Sequence, residues 1–423
     1  MNQRKRISRR RALRGLGVTA LAAPVAAVSQ IAAAASTHGP TPSSASLQVR
    51  DRDSGAPGKE AILGRSDEIF PRHSEGDLVR LADGKLLAVW SRFKNRSDHG
   101  ESEVVGRYSE DQGLTWGEIE SFASISEAEH SSNSNLMSAS LLSLSSAGRI
   151  FFSYMGKEET EPENEDFNRK IRSAVYARFS DDGIHFSRPR RISDPDHYYV
   201  VNNARALQLS SGRILIPTAV ALDPGKELGW IKQSCLTFYS DDQGANWKQG
   251  SACTLTPQDV PGRESRELTL QEPGLIELKD QRILMVMRTR LNHPYKSLSE
   301  DGGESWSKPV PISEIVAPTS PQTLFRLPQS GDIAMIYNNN SLGAEAKWSE
   351  RRPLAFAVSK DEGRSFRYRK VIEEVEGRCW AYHSARVYGD KLYLLYYEWY
   401  QGHPTFFFTD FKLSIIPIEW FEA

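Results

Sequence analysis

Arginines, carboxylates and a tyrosine cluster at a few places in this chain, and these are residue types that bind anions and move protons. Phe70-Pro71-Arg72-His73 stands just ahead of a hairpin phrase, and Arg92 and Asp98-His99 follow it. Gln271-Glu272-Pro273-Gly274 leads to Arg288 sixteen residues after Glu272. Arg351-Arg352-Pro353-Leu354 precedes a polar turn, and Trp380-Ala381-Tyr382-His383 precedes the last hairpin. Guanidiniums facing one cavity repel each other unless an anion lies between them. A carboxylate fits that need, because its two oxygens accept charge-assisted, bidentate contacts. A carboxylate side chain beside a phenol can take the phenol proton.

The rest of the chain reads as the scaffold for these residues. One turn phrase recurs five times: SEDQGLTW at Ser109–Trp116, FSDDGIHF at Phe179–Phe186, SDDQGANW at Ser240–Trp247, SEDGGESW at Ser299–Trp306 and SKDEGRSF at Ser359–Phe366. Taking Asp111, Asp181, Asp242, Asp301 and Asp361 as the leading aspartates, the steps are 70, 61, 59 and 60 residues. Such self-similarity marks a repeat architecture. The Asp accepts backbone N–H groups of the turn, Gly supplies a positive φ, and the closing aromatic packs beneath. A second pattern, a strand entering a polar turn and leaving as an alternating apolar strand, occurs six times, as in Leu81–Ala88, Gln208–Ile216 and Arg386–Leu395. Six hairpins with five turn boxes predict an all-β, six-bladed β-propeller in which one blade lacks its box. The innermost strands of a propeller converge near its axis, so each blade contributes one or two residues there.

Residues 1–35 read as a twin-arginine signal peptide. Seven basic residues and no acid precede the apolar stretch Gly15–Ala35, with Ser8-Arg9-Arg10-Arg11-Ala12-Leu13 as the signature. This implies a periplasmic or secreted protein, with a membrane association only if the signal is uncleaved. Residues 36–60 read as a flexible linker, and 61–423 as the propeller domain. Without residues 1–35 the chain carries 46 basic against 54 acidic groups, a net charge of −8, which argues against nucleic acid as a partner. Cys235, Cys253 and Cys379 lack metal-ligand spacing, and one pair at most can bridge. Neither a cofactor nor a metal site is expected.

From Ile69 to the C-terminus, including Leu413–Phe421 as closing strand, the chain resembles the bacterial sialidase (neuraminidase) family of six-bladed propellers, whose Asp boxes the turn phrases match. The resemblance implies a retaining exo-glycosidase acting on sialylated or other acidic glycans. It implies substrate-binding arginines at Arg72, Arg288 and Arg351, an acid/base at Asp98, and a Tyr382 nucleophile served by Glu272. The Arg72 phrase departs most from the family, with His73-Ser74 in place of Ile-Pro. The roles are physically coherent: a carboxylate nucleophile would be repelled by the substrate carboxylate, whereas a neutral phenol can approach the anomeric carbon.

Rival readings stay open. His99 or Asp77 can replace Asp98 as the acid, Arg352 can replace Arg351, and Tyr396 or Tyr397 can replace Tyr382. Asn202, Asn203 and Arg205 are candidates for further polar contacts. The alternative function is a non-catalytic propeller that binds anionic glycans, or a hydrolase of the same fold for another acidic sugar.

Overall fold

Alternating apolar residues let each strand cover both of its neighbours, and the chain repeats this six times around an axis. The computed structural model describes residues 47–145, 148–159, 171–195, 197–221, 232–345, 350–400 and 408–423. The stretch expected as a signal peptide and the start of the expected linker lie outside these residues. Blade one is built from Arg72–Arg80, Leu86–Phe93, Ser102–Ser109 and Glu120–Ala123, each antiparallel to the next. Blade two runs from Asn135–Ser143 through Ile150–Glu159 and Ile171–Ser180 to Arg190–Arg191. Blade three starts with Tyr198–Val201 and Leu207–Gln208, both paired to Ile214–Ala221, and continues with Gln233–Ser240 and Lys248–Gln249. Blade four comprises Gln271–Glu277, Ile283–Arg288, Tyr295–Ser299 and Val310–Pro311. Blade five comprises Thr323–Arg326, Ile333–Asn338, Leu354–Ser359 and Arg367–Glu373.

Blade six takes three strands from the C-terminal region, Arg378–Tyr388, Lys391–Tyr400 and Thr409–Pro417. Its outer strand, Lys59–Gly64, comes from the other end of the described chain. This explains the missing sixth Asp box: no turn joins the third strand of this blade to its fourth. Two expectations change here. The closing strand is Thr409–Pro417 rather than Leu413–Phe421, and Glu419–Glu422 form a short helix. Part of the stretch expected as linker is also paired, Leu47-Gln48 to Thr115-Trp116 and Arg50-Asp51 to Lys59-Glu60.

The core is divided among the blade interfaces. Leu78, Ala88 and Trp90 of blade one pack with Leu395, Phe411 and Leu413 of blade six. The alternate residues Val79, Leu87 and Val89 pack with Leu141, Phe152 and Tyr154 of blade two. The same division joins blades two and three, three and four, four and five, and five and six, which closes the ring. Each fully buried Leu, Ile or Phe contributes about 1.5–3 kcal/mol, so six such interfaces hold a rigid frame for side chains at the axis.

Each Asp box links the third and fourth strands of its blade. Asp301 accepts from the Glu304 and Ser305 amides at 3.0 and 2.9 Å and from the Ser299 hydroxyl at 2.7 Å. In the second box the expected leader, Asp181, is not the turn residue. Asp182 accepts from Ser180 Oγ at 2.9 Å and from the Ile184 and His185 amides at 2.8 Å. That box is one residue shorter between Asp and Gly, so the first two steps become 71 and 60 residues. None of these turn aspartates lines the central cavity.

Candidate active site

A backbone irregularity recurs where the innermost strands approach the axis. Glu75, Ser138, Glu272 and Tyr382 have φ of 52°, 62°, 45° and 57°, the left-handed region that residues with a Cβ seldom occupy. Pairing slips by one bulge in each of these strands, between Ser74 and Asp77, Gln271 and Gly274, and Ala381 and Ser384, and opposite Ser153 and Met155 in blade two. A bulge takes one residue out of the alternation and re-aims it. In the first blade the space beside it is so tight that a Cβ on Gly76 would fall 2.2 Å from the Val89 carbonyl oxygen. All four re-aimed side chains line one cavity of about 1210 Å³, to which every blade contributes.

At the base of this cavity Tyr382 Oη donates to Glu272 Oε1 at 2.7 Å. Arg288 Nη1 donates to Glu272 Oε2 at 2.7 Å and to Tyr382 Oη at 3.3 Å. The Arg351 guanidinium lies 5.5 Å from the centre of the Tyr382 ring and donates to the Thr319 carbonyl at 2.8 Å. Tyr397 stacks on the Tyr382 ring, with centroids 5.4 Å apart. Burial pushes the Tyr382 phenol well above its usual value, and Glu272 adds to this, while Arg288 and Arg351 oppose it. The resting side chain is therefore a neutral phenol with its proton directed at a carboxylate. Burial works against the charge on Arg288, but Glu272 and Tyr382 outweigh it and the net shift is upward.

Arg72 is buried over the Phe93 ring at 4.3 Å and holds two acids. Its Nη1 donates to Asp98 Oδ1, its Nη2 reaches Glu75 Oε1 at 3.3 Å, and its Nε donates to Ser74 Oγ at 3.2 Å. Asp98 sits on the loop after Leu86–Phe93, with 63% of its side chain exposed. The loop is pinned through the Asp98 carbonyl, which accepts from Lys157 Nζ at 2.7 Å and Asn135 Nδ2 at 2.8 Å. The Arg72 guanidinium holds the Asp98 carboxyl well below the usual carboxylate range.

The structure thus brings Arg72, Asp98, Glu272, Arg288, Arg351 and Tyr382 to one cavity. Most of the rivals face elsewhere. Asp77 is buried and bound to Ser384 Oγ, the Leu141 amide and Arg386. Tyr396 points to the opposite side of its strand, toward Glu373 and Ser414. Arg352 lines a separate surface hollow with Trp380. His99 and Tyr397 do line the cavity. Arg92 pairs with Glu103 at 2.6 Å, and Arg205 lies beneath the site, donating to the His383 carbonyl at 3.3 Å. Sequence reasoning missed Glu75 and Lys157. Glu75 lies two residues beyond His73, and its bulge leaves no periodic signal.

A cavity at the axis of six blades, with an arginine set around a Tyr–Glu pair, defines a sialidase-like propeller. Residues 84–394 match the BNR repeat-like domain, and the chain belongs to that family. The sialidase of Micromonospora viridifaciens is 24% identical over 423 residues, covering 93% of this chain and 59% of that protein. The Vibrio cholerae sialidase is 26% identical over 167 residues, covering 36% of this chain and 20% of that protein. The chain therefore spans less than two thirds of either relative. Among solved structures, the intramolecular trans-sialidase from Ruminococcus gnavus superposes with a TM-score of 0.62 at 14% identity, over 85% of this chain and 98% of that one. A protein of unknown function from Dyadobacter fermentans gives 0.63 at 16% identity, over 87% and 98%. At these identities the structural likeness concerns the fold.

Proposed function

We propose that this protein is an exported, retaining exo-glycosidase that removes a terminal sialic or related nonulosonic acid from glycans. The observation that carries this reading is the Tyr382–Glu272 hydrogen bond of 2.7 Å, flanked by Arg288 and Arg351. A binding module needs the arginines alone, and nothing in anion binding requires a carboxylate aimed at a buried phenol. The twin-arginine phrase supports export to the periplasm or medium.

In the first step Tyr382 Oη attacks the anomeric carbon and its proton passes to Glu272, while Asp98 protonates the departing glycosidic oxygen. In the second step Asp98 takes a proton from water, the resulting hydroxide displaces Tyr382, and Glu272 returns the phenol proton. Asp98 paired to Arg72 is ionised, which is the wrong state for an acid. A substrate carboxylate that takes over Arg72 releases Asp98 from that partner and adds a like charge nearby. Both changes raise the Asp98 pKa, so binding itself arms the acid.

Release of the fluorophore from an aryl sialoside, with a 2-keto-3-deoxynonulosonic acid glycoside assayed in parallel, tests the reading. Turnover of either supports it. Binding of both without turnover means that the protein is a glycan-binding propeller.

A further inference from the structure

Glu75 is an acid of the cavity that the mechanism above does not use, and unlike Glu267 and Glu345, which also line it, Glu75 occupies the bulge position in blade one that Glu272 and Tyr382 occupy in blades four and six. Its carboxyl is buried, with Oε1 at 3.3 Å from Arg72 Nη2 and Oε2 without a hydrogen-bond partner among the described residues. Arg72 therefore carries two carboxylates before any ligand arrives. The Asp98 backbone is pinned through its carbonyl, but its side chain is exposed and can turn away into solvent. Glu75 is held on a bulged innermost strand, with Gly76 pressed against Val89 and Trp90, and its side chain is buried with no solvent to turn into.

A ligand carboxylate bound to Arg72 would thus stand beside a second, buried carboxylate. Two carboxylates sharing one site do not both stay ionised. Building on the acidic-sugar reading, we propose that Glu75 is a specificity-determining residue of the arginine clamp, taking up one proton when the substrate carboxylate binds. The ligand then meets a neutral acid beside Arg72, and affinity for acidic sugars is tied to pH.

The surroundings of Glu75 favour this. Burial raises its pKa to about 7. Arg72 on its own strand and Lys157 of blade two oppose that shift, while Asp98 on the loop and Glu272 of blade four add to it. Tyr397 of blade six is a further neighbour. Free Glu75 is thus poised to change state near neutral pH, and a bound carboxylate moves it further toward the protonated form.

The test is calorimetric titration of the full chain with 2-deoxy-2,3-dehydro-N-acetylneuraminic acid, a non-hydrolysable carboxylate sugar, from pH 5 to 8.5 in buffers of different ionisation enthalpy. Wild type is expected to take up close to one proton per ligand at the alkaline end, with affinity falling toward about tenfold per pH unit there. Glu75→Gln, which keeps shape and is checked for folding by circular dichroism, is expected to lose the uptake and the pH slope at the alkaline end, leaving only what Asp98 takes up toward the acid end. Asp98→Asn, which removes the other acid on Arg72, is expected to keep the uptake. Binding by wild type with no uptake at the alkaline end overturns the role of Glu75, as does alkaline uptake that survives in Glu75→Gln. Absence of binding by wild type at every pH overturns the acidic-sugar reading itself and this coupling with it.

Discussion

Tyr382 and Glu272 belong to blades six and four, which are not neighbours, and yet their side chains meet at 2.7 Å. The contact exists because both innermost strands break at equivalent points and turn a residue with positive φ toward the axis. Such strain is kept where the surrounding frame over-determines it. Here the frame is the ring of blade interfaces, and the product of the strain is a phenol directed at the Glu272 carboxyl group.

Arg288 contacts Glu272, the base of the proposed mechanism, as well as lining the cavity, so its loss should affect both binding and chemistry. Arg288→Ala is expected to cost about 2–5 kcal/mol in kcat/KM, by analogy with other desolvated charge pairs. Steady-state kinetics should show KM rising and kcat falling together. A rise in KM alone would mean that the Glu272 contact plays no part in the chemistry.

Asp98→Asn should separate substrates by leaving group. A glycosidic oxygen with a poor leaving group needs protonation, and general acid catalysis is worth about 10²–10⁴-fold. Hydrolysis of a natural sialyl-oligosaccharide is expected to fall by that order, while attack on an activated aryl sialoside falls far less. Equal losses on both substrates would exclude Asp98 as the acid and turn attention to His99.

The Asp boxes should affect stability without affecting chemistry. Asp301→Ala removes the acceptor for the Ser299, Glu304 and Ser305 groups of its turn. Hydrogen bonds to charged groups contribute about 1.5–3 kcal/mol, so the Tm should drop by several degrees with kcat unchanged. Loss of kcat in a protein that remains folded would contradict the peripheral role of the box.

His73 provides a pH probe of the frame. Its Nδ1 accepts from Trp90 Nε1 at 2.8 Å in the interface of blades one and six, and burial, aided by Arg92, pushes its pKa down to about 3. In the unfolded chain a histidine binds a proton below about 6.5. The native state therefore loses stability as pH falls from there, by up to about 1.4 kcal/mol per unit for this residue, until the folded pKa is reached. Urea midpoints of wild type and His73→Gln between pH 6.5 and 4 should show the shallower dependence in the variant. Parallel dependences would mean that His73 titrates as freely in the folded protein as in the unfolded one.

What could be read from the sequence was what local chemistry dictates. Ser-x-Asp-x-Gly turns and alternating apolar strands are short-range signals, and they sufficed for six blades around an axis, while the choice of Arg72, Glu272, Arg288, Arg351 and Tyr382 as the residues that meet there came from the resemblance to the sialidase family. Asp182 was missed because its box is one residue short and a fixed-spacing reading lands on Asp181. The place of Lys59–Gly64 beside Thr409–Pro417 was not legible, since pairing between distant segments leaves no local trace. Glu75 escaped for a related reason. A bulge changes where a side chain points without changing the residue pattern, so only the backbone reveals that Glu75 shares Arg72 with Asp98.

The central claim is that Tyr382 becomes covalently bonded to the sugar. Brief reaction with 2,3-difluorosialic acid, which slows release of the glycosyl intermediate, followed by peptide mapping by mass spectrometry, tests it directly. The account predicts one added fluorosialosyl group per chain, located on Tyr382, with none on Tyr382→Phe and much slower labelling of Glu272→Gln. A label on Tyr397 or on Asp98, or an unlabelled Tyr382 in a protein that is turning over aryl sialosides, would contradict it.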